Sequence, residues 1–224
     1  MRKTESAETD SDQRNTLNVL TLALGLIASG VMGYLAAKYW NSATAYDAAL
    51  ARYALMLSLF GIAGLAIVNW QDPNTSVKWE LRPLDAKYLS QLGMRLLLVL
   101  VIGVLLEAAI AYASQLELVK STVAREDLAA YYVFAGACEE LFFRGVICNL
   151  LARYVNKYVG IFASSLAFMA AHSEVYGSQW TLMLVQFILG IIWGFAYIYW
   201  KDITPNLGAH VIKNLLAVGN LFVW

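Results

Sequence analysis

The chain has 224 residues, of which 60% are hydrophobic and 14% are charged, whereas soluble domains have about 45–50% apolar and about 25% charged residues. This composition excludes an ordinary soluble globular protein. Sixteen Lys and Arg residues balance sixteen Asp and Glu residues, so the chain has no basic excess that could neutralise a nucleic-acid backbone. We therefore expect no nucleic-acid partner.

Apolar runs recur along the chain after a polar tail of mixed charge at residues 1–14. The first run is uncharged and longer than the apolar core of a cleaved signal peptide, so we expect a retained span. The runs cover residues 15–37, 53–71, 96–116, 129–152, 158–173, 175–200 and 203–224. A membrane-spanning helix needs about 20 apolar residues. The sequence therefore predicts an all-α fold, a polytopic membrane helix bundle of about seven transmembrane helices surrounded by the lipid bilayer.

The polar residues and tryptophans between the runs indicate how the helices lie in the membrane. Residues 71–91 form the longest polar break, contain two of the three prolines and predict a loop that can include an interfacial helix. Tryptophans at the ends of the runs are typical of interfacial belts; they are Trp40, Trp70, Trp180, Trp200 and Trp224. With the N-terminus inside, ten Lys and Arg residues fall on inner segments and four on outer ones. The positive-inside rule thus predicts a multi-pass integral membrane protein with its N-terminus inside.

Charged residues inside the apolar runs are the strongest functional signal, because an ionisable group at bilayer depth is costly and usually functional. The fourth run contains Glu139, Glu140 and Arg144. Glu140 and Arg144 are four residues apart on a helix, so they share a face and can pair. Glu139 is rotated away from both and has no charged partner in its own helix. It is the carboxylate that is free to take a proton. The alternative is that all three charges form a buried polar cluster that only fixes the register of the helices.

Both histidines of the chain also lie in apolar runs, His172 in the fifth and His210 in the seventh. A single buried histidine is more often a core residue than a catalyst, but here both histidines are placed in this way. His210 and Asn214 are four residues apart and face the same side of a helix. Their side chains can both donate hydrogen bonds into one cavity, as an oxyanion requires.

Three motifs occur in order in separate predicted helices: Glu139-Glu140-x-x-x-Arg144, then Phe168-x-x-x-His172, then His210-x-x-x-Asn214. This pattern resembles the CPBP intramembrane proteases, also called the Abi or CAAX protease and bacteriocin-processing family, which include the type II CAAX prenyl endopeptidases. The resemblance covers about residues 125–222. It implies a four-helix catalytic core at residues 125–224, preceded by N-terminal transmembrane helices and a connecting loop at residues 15–124.

The resemblance also implies a function and a role for each motif residue. The expected enzyme is an intramembrane protease, a CAAX prenyl endopeptidase-like hydrolase acting on membrane-embedded or lipidated proteins and peptides. Glu139 and His172 would activate water, His210 and Asn214 would stabilise the oxyanion, and Glu140 and Arg144 would organise the site. The preferred mechanism requires no cofactor. The alternative is a metalloprotease in which Glu139, His172 and His210 hold a zinc ion.

Other functions fit the sequence less well. A rhomboid-type GxSxG motif is absent. Presenilin-type catalysis needs two aspartates in membrane helices, whereas Asp202, the aspartate that comes after Glu139, lies at a predicted helix end. The alternative is a non-proteolytic membrane protein, either a bacteriocin-immunity or scaffold protein or a proton-coupled transporter. A transporter would often show an inverted repeat, and none is visible. Glu107 is interpreted as a snorkelling or pore-lining residue, and Lys213 as reaching an interface or a carboxylate.

Overall fold

The computed structural model describes residues 23, 25–71, 86–114, 123–177 and 179–218. Within these ranges the ordered elements are helices, and no strand is present. Several predicted segments lie outside the described residues. They are the tail at residues 1–14, most of the loop at 71–91, the beginning of the first predicted span and the end of the last one. The expected all-α class is confirmed for the described part.

The helices are numbered in chain order. They are α1 at 25–39, α2 at Ala45–Gln71, α3 at Ala86–Ser114, α4 at Arg125–Glu139, α5 at Asn149–Tyr154, α6 at Lys157–Ala171, α7 at Ser173–Tyr176, α8 at Trp180–Trp200 and α9 at Thr204–Val218. A π-helical segment, Glu140–Cys148, joins α4 to α5 without a break. Each of the seven predicted apolar runs overlaps a described helical segment.

The boundaries of several predicted elements are wrong. Helix α3 begins at Ala86, so the end of the predicted loop at 71–91 is helical. The predicted run at 175–200 is interrupted by Gly177, whose φ of 56° is left-handed, and α8 begins only at Trp180. Apolar runs mark the part of a helix that packs or meets lipid, whereas the backbone continues into polar flanks that hydropathy does not detect.

Two of the described helices have the length and composition needed to cross a membrane. These segments are Ala86–Ile110 and Trp180–Trp200. The larger number, about seven transmembrane helices, stays a prediction, as do the multi-pass arrangement and the orientation of the N-terminus.

Helices α6 and α8 form the most extensive contact of the bundle, and α9 packs against both α3 and α4. Small residues allow the close approach of α6 and α8. A Cβ on Gly190 of α8 would lie 2.9 Å from Ser165 Cβ of α6, and one on Gly194 would lie 3.0 Å from Ile161. Small residues at helix crossings let backbones pack tightly where lipid tails provide no hydrophobic drive.

Polar contacts fix the ends of the helices that follow the π-helical segment. Asn156 caps α6, because its Oδ1 accepts hydrogen bonds from the backbone N–H groups of Tyr158 and Val159. Lys201 caps the C-terminus of α8 and has a left-handed φ of 51°. Asp202 then accepts from the backbone N–H of Thr204 at 2.9 Å, so this aspartate lies at a helix end, as the sequence indicates.

The π-helical segment from Glu140 to Cys148 follows directly on Glu139. Its hydrogen bonds run from residue i to i+5, which widens the helix, and such geometry is rare and concentrated at functional sites. Seven of its nine residues are buried, including Glu140 and Arg144. The two adjacent glutamates therefore lie at the junction of two helical geometries.

We predict that Gly160→Ala destabilises the fold. A Cβ at this position of α6 would lie 2.7 Å from the backbone O of Cys148 and 2.7 Å from the backbone N of Ala152. Backbone atoms cannot move aside as a side chain can, so overpacking should cost about 1–3 kcal/mol. The measurement is thermal unfolding of the purified protein in detergent. Gly93→Ala is the matched control, since its Cβ meets nothing within 4 Å and should leave stability unchanged or slightly higher.

Candidate active site

A small cavity at the centre of the bundle, which we call the Glu139 cavity, has a volume of about 50 Å³. This is enough for water. Helices α2, α4, α8 and α9 and the segment around α7 contribute its walls. Its lining includes four of the sequence-predicted site residues: Glu139, His172, His210 and Asn214. Glu140 and Arg144 are not part of the lining but lie buried behind it, with 0% and 1% of their surface exposed.

Glu139 is held from one side only. The hydroxyl of Tyr53 in α2 donates a hydrogen bond to Glu139 Oε1 at 2.9 Å. The other oxygen, Oε2, is buried, has no hydrogen-bond partner among the described residues and lies 3.2 Å from His210 Nε2. One carboxylate oxygen is thus oriented, while the other remains available at the cavity.

Glu140 binds two cationic or polar partners, which separates it from Glu139. Its Oε1 lies 3.1 Å from Arg144 Nη1, the pairing that the i, i+4 spacing predicts, and 3.0 Å from His210 Nδ1. The Arg144 guanidinium also lies over the rings of Phe168 in α6 and Trp193 in α8, at 4.5 and 5.3 Å from their centroids. Such cation–π contacts offset part of the cost of burying the charge.

The imidazole of His172 is fixed by its own helix and by aromatic rings. Its Nδ1 lies 2.8 Å from the carbonyl O of Phe168. Because a carbonyl can only accept, Nδ1 carries the proton, and Nε2 of the neutral ring keeps a lone pair. Tyr176 stacks on the imidazole at 5.6 Å with an interplanar angle of 16°, and Tyr53 lies at 5.1 Å. Position and tautomer are therefore both constrained.

His210 and Asn214 face α4 together, as their spacing predicts, but part of their donor capacity is already used. Hydrogen bonding to the Glu140 carboxylate makes Nδ1 of His210 the donor. Asn214 Nδ2 donates to the backbone O of Tyr132 at 3.0 Å. Gly136 permits this approach, because a Cβ there would lie 3.3 Å from Asn214 Nδ2 and 3.4 Å from His210 Cδ2.

Glu107 and Lys213 form a buried ion pair, so the interpretation of Glu107 as a snorkelling residue is wrong, whereas Glu107 does line a second cavity that shares residues with the Glu139 cavity. Lys213 Nζ of α9 donates to Glu107 Oε1 of α3 at 2.6 Å, and Glu107 is 2% exposed. The two residues are 106 positions apart, so helical spacing could not reveal the pair. Lys213 also lines the Glu139 cavity, where it contributes the single Lys or Arg side chain among the lining residues described.

The geometry does not favour the alternative zinc site of Glu139, His172 and His210. Over the part of the chain that the structure describes, no group of three or more His, Cys, Asp or Glu side chains is arranged to hold a metal ion. The metalloprotease alternative therefore has no support from the arrangement of these side chains.

Several residues of the site escaped the sequence analysis. Tyr53 and Tyr176 contact the predicted catalytic residues, but both are tyrosines in or beside apolar runs, where nothing distinguishes them from interfacial aromatics. Trp193 lies 4.3 Å from the His210 ring, and its carbonyl accepts from Asn206 at 2.7 Å. Asn206 offered one signal, since it is an amide four residues before His210 and therefore on the same face of α9.

Comparison with known proteins identifies the class of the segment that builds most of this site. Residues 126–216 match the family described as Rce1-like type II CAAX prenyl endopeptidases. The matched segment is less than half of the chain and contains Glu139, Glu140, Arg144, His172, His210 and Asn214. The resemblance to a protease family that includes the type II CAAX prenyl endopeptidases is thereby confirmed over these residues. No curated protein and no solved structure gives a significant match.

We predict that the two adjacent glutamates differ in their effect on stability. Glu140→Ala removes the partner of both Arg144 and His210, and it leaves a buried guanidinium that should cost about 3–5 kcal/mol. Glu139→Gln keeps an oxygen that can accept from Tyr53, so its unfolding temperature should stay close to that of the unmodified protein. Thermal unfolding in detergent measures both. Equal losses in the two variants would contradict the separate roles.

Proposed function

We propose that the protein is an intramembrane endopeptidase of the CAAX-processing type, a hydrolase that cleaves membrane-associated or lipidated proteins and peptides. The family match over residues 126–216 supports the protease class. The observation that carries the proposal is the Glu139 cavity, because one small volume is lined by a carboxylate, two imidazoles and two carboxamides. Peptide hydrolysis requires a base for water and donors for an oxyanion, and these residue types provide both.

Water activation is assigned to Glu139 and His172. Glu139 Oε2 has no hydrogen-bond partner among the described residues, while Oε1 is held by Tyr53. His172 Nε2 keeps a lone pair because its Nδ1 donates to Phe168 O. A water in the cavity can therefore be oriented by the imidazole while Glu139 takes its proton. The water oxygen then attacks the carbonyl carbon of the scissile bond.

Oxyanion stabilisation is assigned to His210 and Asn214, and the proton positions set a condition on His210. Its Nδ1–H is committed to Glu140, so Nε2 can donate only after it has taken a proton. Glu139 Oε2 lies 3.2 Å from Nε2 and can pass on the proton of the water. The adjacent Glu140 carboxylate would stabilise the resulting imidazolium. Asn214 keeps a second N–H besides the one donated to Tyr132.

The proposed mechanism uses side chains alone and needs no cofactor. The proposed substrate is a lipidated protein tail, which the lipid bilayer would deliver to the buried site. The catalytic core is proposed to span residues 125–224. A non-proteolytic role as an immunity or scaffold protein, or as a proton-coupled transporter, is the alternative that a cleavage assay excludes or establishes.

We predict that Glu139→Gln lowers proteolysis by at least about 10²-fold, because the variant keeps the shape of the side chain but lacks a basic carboxylate. The substrate is a farnesylated peptide with a C-terminal CAAX sequence, presented in lipid vesicles with the purified protein. Mass spectrometry measures release of the C-terminal tripeptide. Glu126→Gln is the matched control, since Glu126 is an exposed glutamate in the first turn of the same helix.

The cleavage assay can contradict the proposal in two ways. Full activity in Glu139→Gln would remove Glu139 from the mechanism. No cleavage by the unmodified protein, whether the peptide is prenylated or not, together with proton uptake into vesicles that depends on Glu139, would favour the transporter alternative.

We predict that the purified, active protein binds no stoichiometric zinc and retains its cleavage rate in EDTA. Metal content is measured by mass spectrometry, alongside the same content in His210→Ala. About one zinc per chain that is lost in His210→Ala, together with inhibition by EDTA, would establish the metalloprotease alternative.

A further inference from the structure

Most polar side chains that line the Glu139 cavity already make a hydrogen bond. Tyr53 donates to Glu139, and Asn214 donates one N–H to Tyr132 O. The Tyr46 and Tyr132 hydroxyls lie 3.3 Å apart and share a hydrogen bond. Lys213 donates to Glu107. The Tyr176 hydroxyl accepts from Gln186 Nε2 at 3.3 Å. Each of these groups is thus held by at least one hydrogen bond, although Lys213, Asn214 and Tyr176 keep further donor hydrogens.

Tyr131 of α4 is the exception among the described hydroxyl groups that line this cavity. Its side chain is 6% exposed, and its buried hydroxyl has no hydrogen-bond partner. The residue also lines a neighbouring cavity bounded by Asp47 and Asp127, yet its hydroxyl bonds to neither carboxylate. A buried polar group without a partner is destabilising, so its presence indicates a ligand that provides the missing acceptor.

Tyr131 and Glu139 lack opposite kinds of hydrogen-bond partner: the Tyr131 hydroxyl lacks an acceptor, and Glu139 Oε2 lacks a donor. Within the described lining of the Glu139 cavity, the side-chain atoms that are buried without a hydrogen bond are the Tyr131 hydroxyl and Glu139 Oε2. The first is a free donor and the second a free acceptor. Hydrolysis of an amide needs this combination: a base to take the proton of water, and a donor for the oxygen that becomes negative.

We propose that the Tyr131 hydroxyl is a further catalytic residue, which donates a hydrogen bond to the carbonyl oxygen of the scissile peptide bond. The inference rests on the proposed proteolytic function. As the water oxygen bonds to the carbonyl carbon, Glu139 takes a proton and the C=O electron pair moves to the oxygen. Tyr131 stabilises this oxyanion and keeps its own proton. Glu139 passes the proton to His210 Nε2, and when the C–N bond breaks the leaving nitrogen takes up this proton from His210 while the C=O bond reforms.

This role explains how an oxyanion is stabilised before His210 is protonated. Nε2 of His210 cannot donate while the ring is neutral, because its proton lies on Nδ1 toward Glu140. The tyrosine hydroxyl can donate as long as it carries its own proton, whatever the protonation state of His210. Tyr131 would thus act as the substrate carbonyl first gains negative charge, and His210 would act after proton transfer.

The test compares Tyr131→Phe with Tyr197→Phe in the vesicle cleavage assay. Tyr197 is a buried tyrosine of α8 that does not line the Glu139 cavity. Loss of one oxyanion donor should lower kcat of Tyr131→Phe by about 10²–10³-fold with little change in KM, while Tyr197→Phe should stay within about twofold. Because the lost hydroxyl has no partner, the unfolding temperature of Tyr131→Phe should be unchanged or higher.

A second measurement separates catalysis from structure. A phosphonate analogue of the farnesylated peptide carries an anionic tetrahedral group in place of the scissile amide. Its inhibition constant should weaken in Tyr131→Phe by a factor comparable to the loss in kcat, while binding of the intact substrate to this variant stays unchanged.

The possible results distinguish failure of the inference from failure of the proposed function. Unchanged kcat in Tyr131→Phe, when Glu139→Gln is inactive, would overturn the role of Tyr131 alone. A lower unfolding temperature with a proportionate loss of activity would also overturn it, since that result indicates a structural hydroxyl. Full activity in Glu139→Gln would instead overturn the proposed mechanism.

Discussion

The site depends on the interactions of the buried Glu140 carboxylate with Arg144 and His210. The carboxylate pairs with Arg144 one turn along its own helical segment and with His210 of α9. Arg144 in turn lies over Phe168 of α6 and Trp193 of α8. One charged cluster therefore connects four helical elements at the depth of the cavity. A charge this deeply buried tolerates little displacement of its partners, because each lost contact leaves an unpaired charge in a medium of low dielectric constant.

This constraint also gives the two adjacent glutamates different chemistry. Oε1 of Glu140 contacts a cation and an imidazole, which balance the charge and orient this oxygen, while its Oε2 has no hydrogen-bond partner among the described residues. Glu139 receives one hydrogen bond, from Tyr53, and keeps a second oxygen toward the cavity. Glu140 furthermore sets the tautomer of His210 and so directs Nε2 toward Glu139. Glu140, which does not line the cavity, thus determines how Glu139 and His210 can exchange a proton in the proposed mechanism.

Sequence reasoning reached the parts of this arrangement that depend on spacing along one helix. The pairing of Glu140 with Arg144 and the shared face of His210 and Asn214 follow from positions four apart. The helical class and the approximate positions of the segments followed from apolar runs. Contacts between distant helices, such as Tyr53 with Glu139 or Lys213 with Glu107, could not be predicted, because they depend on how helices pack.

The π-helical geometry that begins at Glu140 was also beyond sequence reasoning, because an apolar period alone does not distinguish i+4 from i+5 hydrogen bonding over nine residues. The boundaries failed for a related reason. Helix α3 begins at Ala86, before the predicted apolar run at 96–116. Its first residues are polar, so their helical hydrogen bonds leave no hydropathy signal.

The charges around the cavity are arranged in a way that suits the proposed hydrolysis in so apolar a chain. Glu107 is paired with Lys213 and Glu140 with Arg144, so both pairs are neutral overall. Among the described residues that line the cavity, Glu139 is then the carboxylate without a Lys or Arg partner. In the proposed mechanism, a proton released from water in the cavity therefore has one carboxylate among the lining residues to move to. The tyrosines around the cavity provide a polar lining without adding charge.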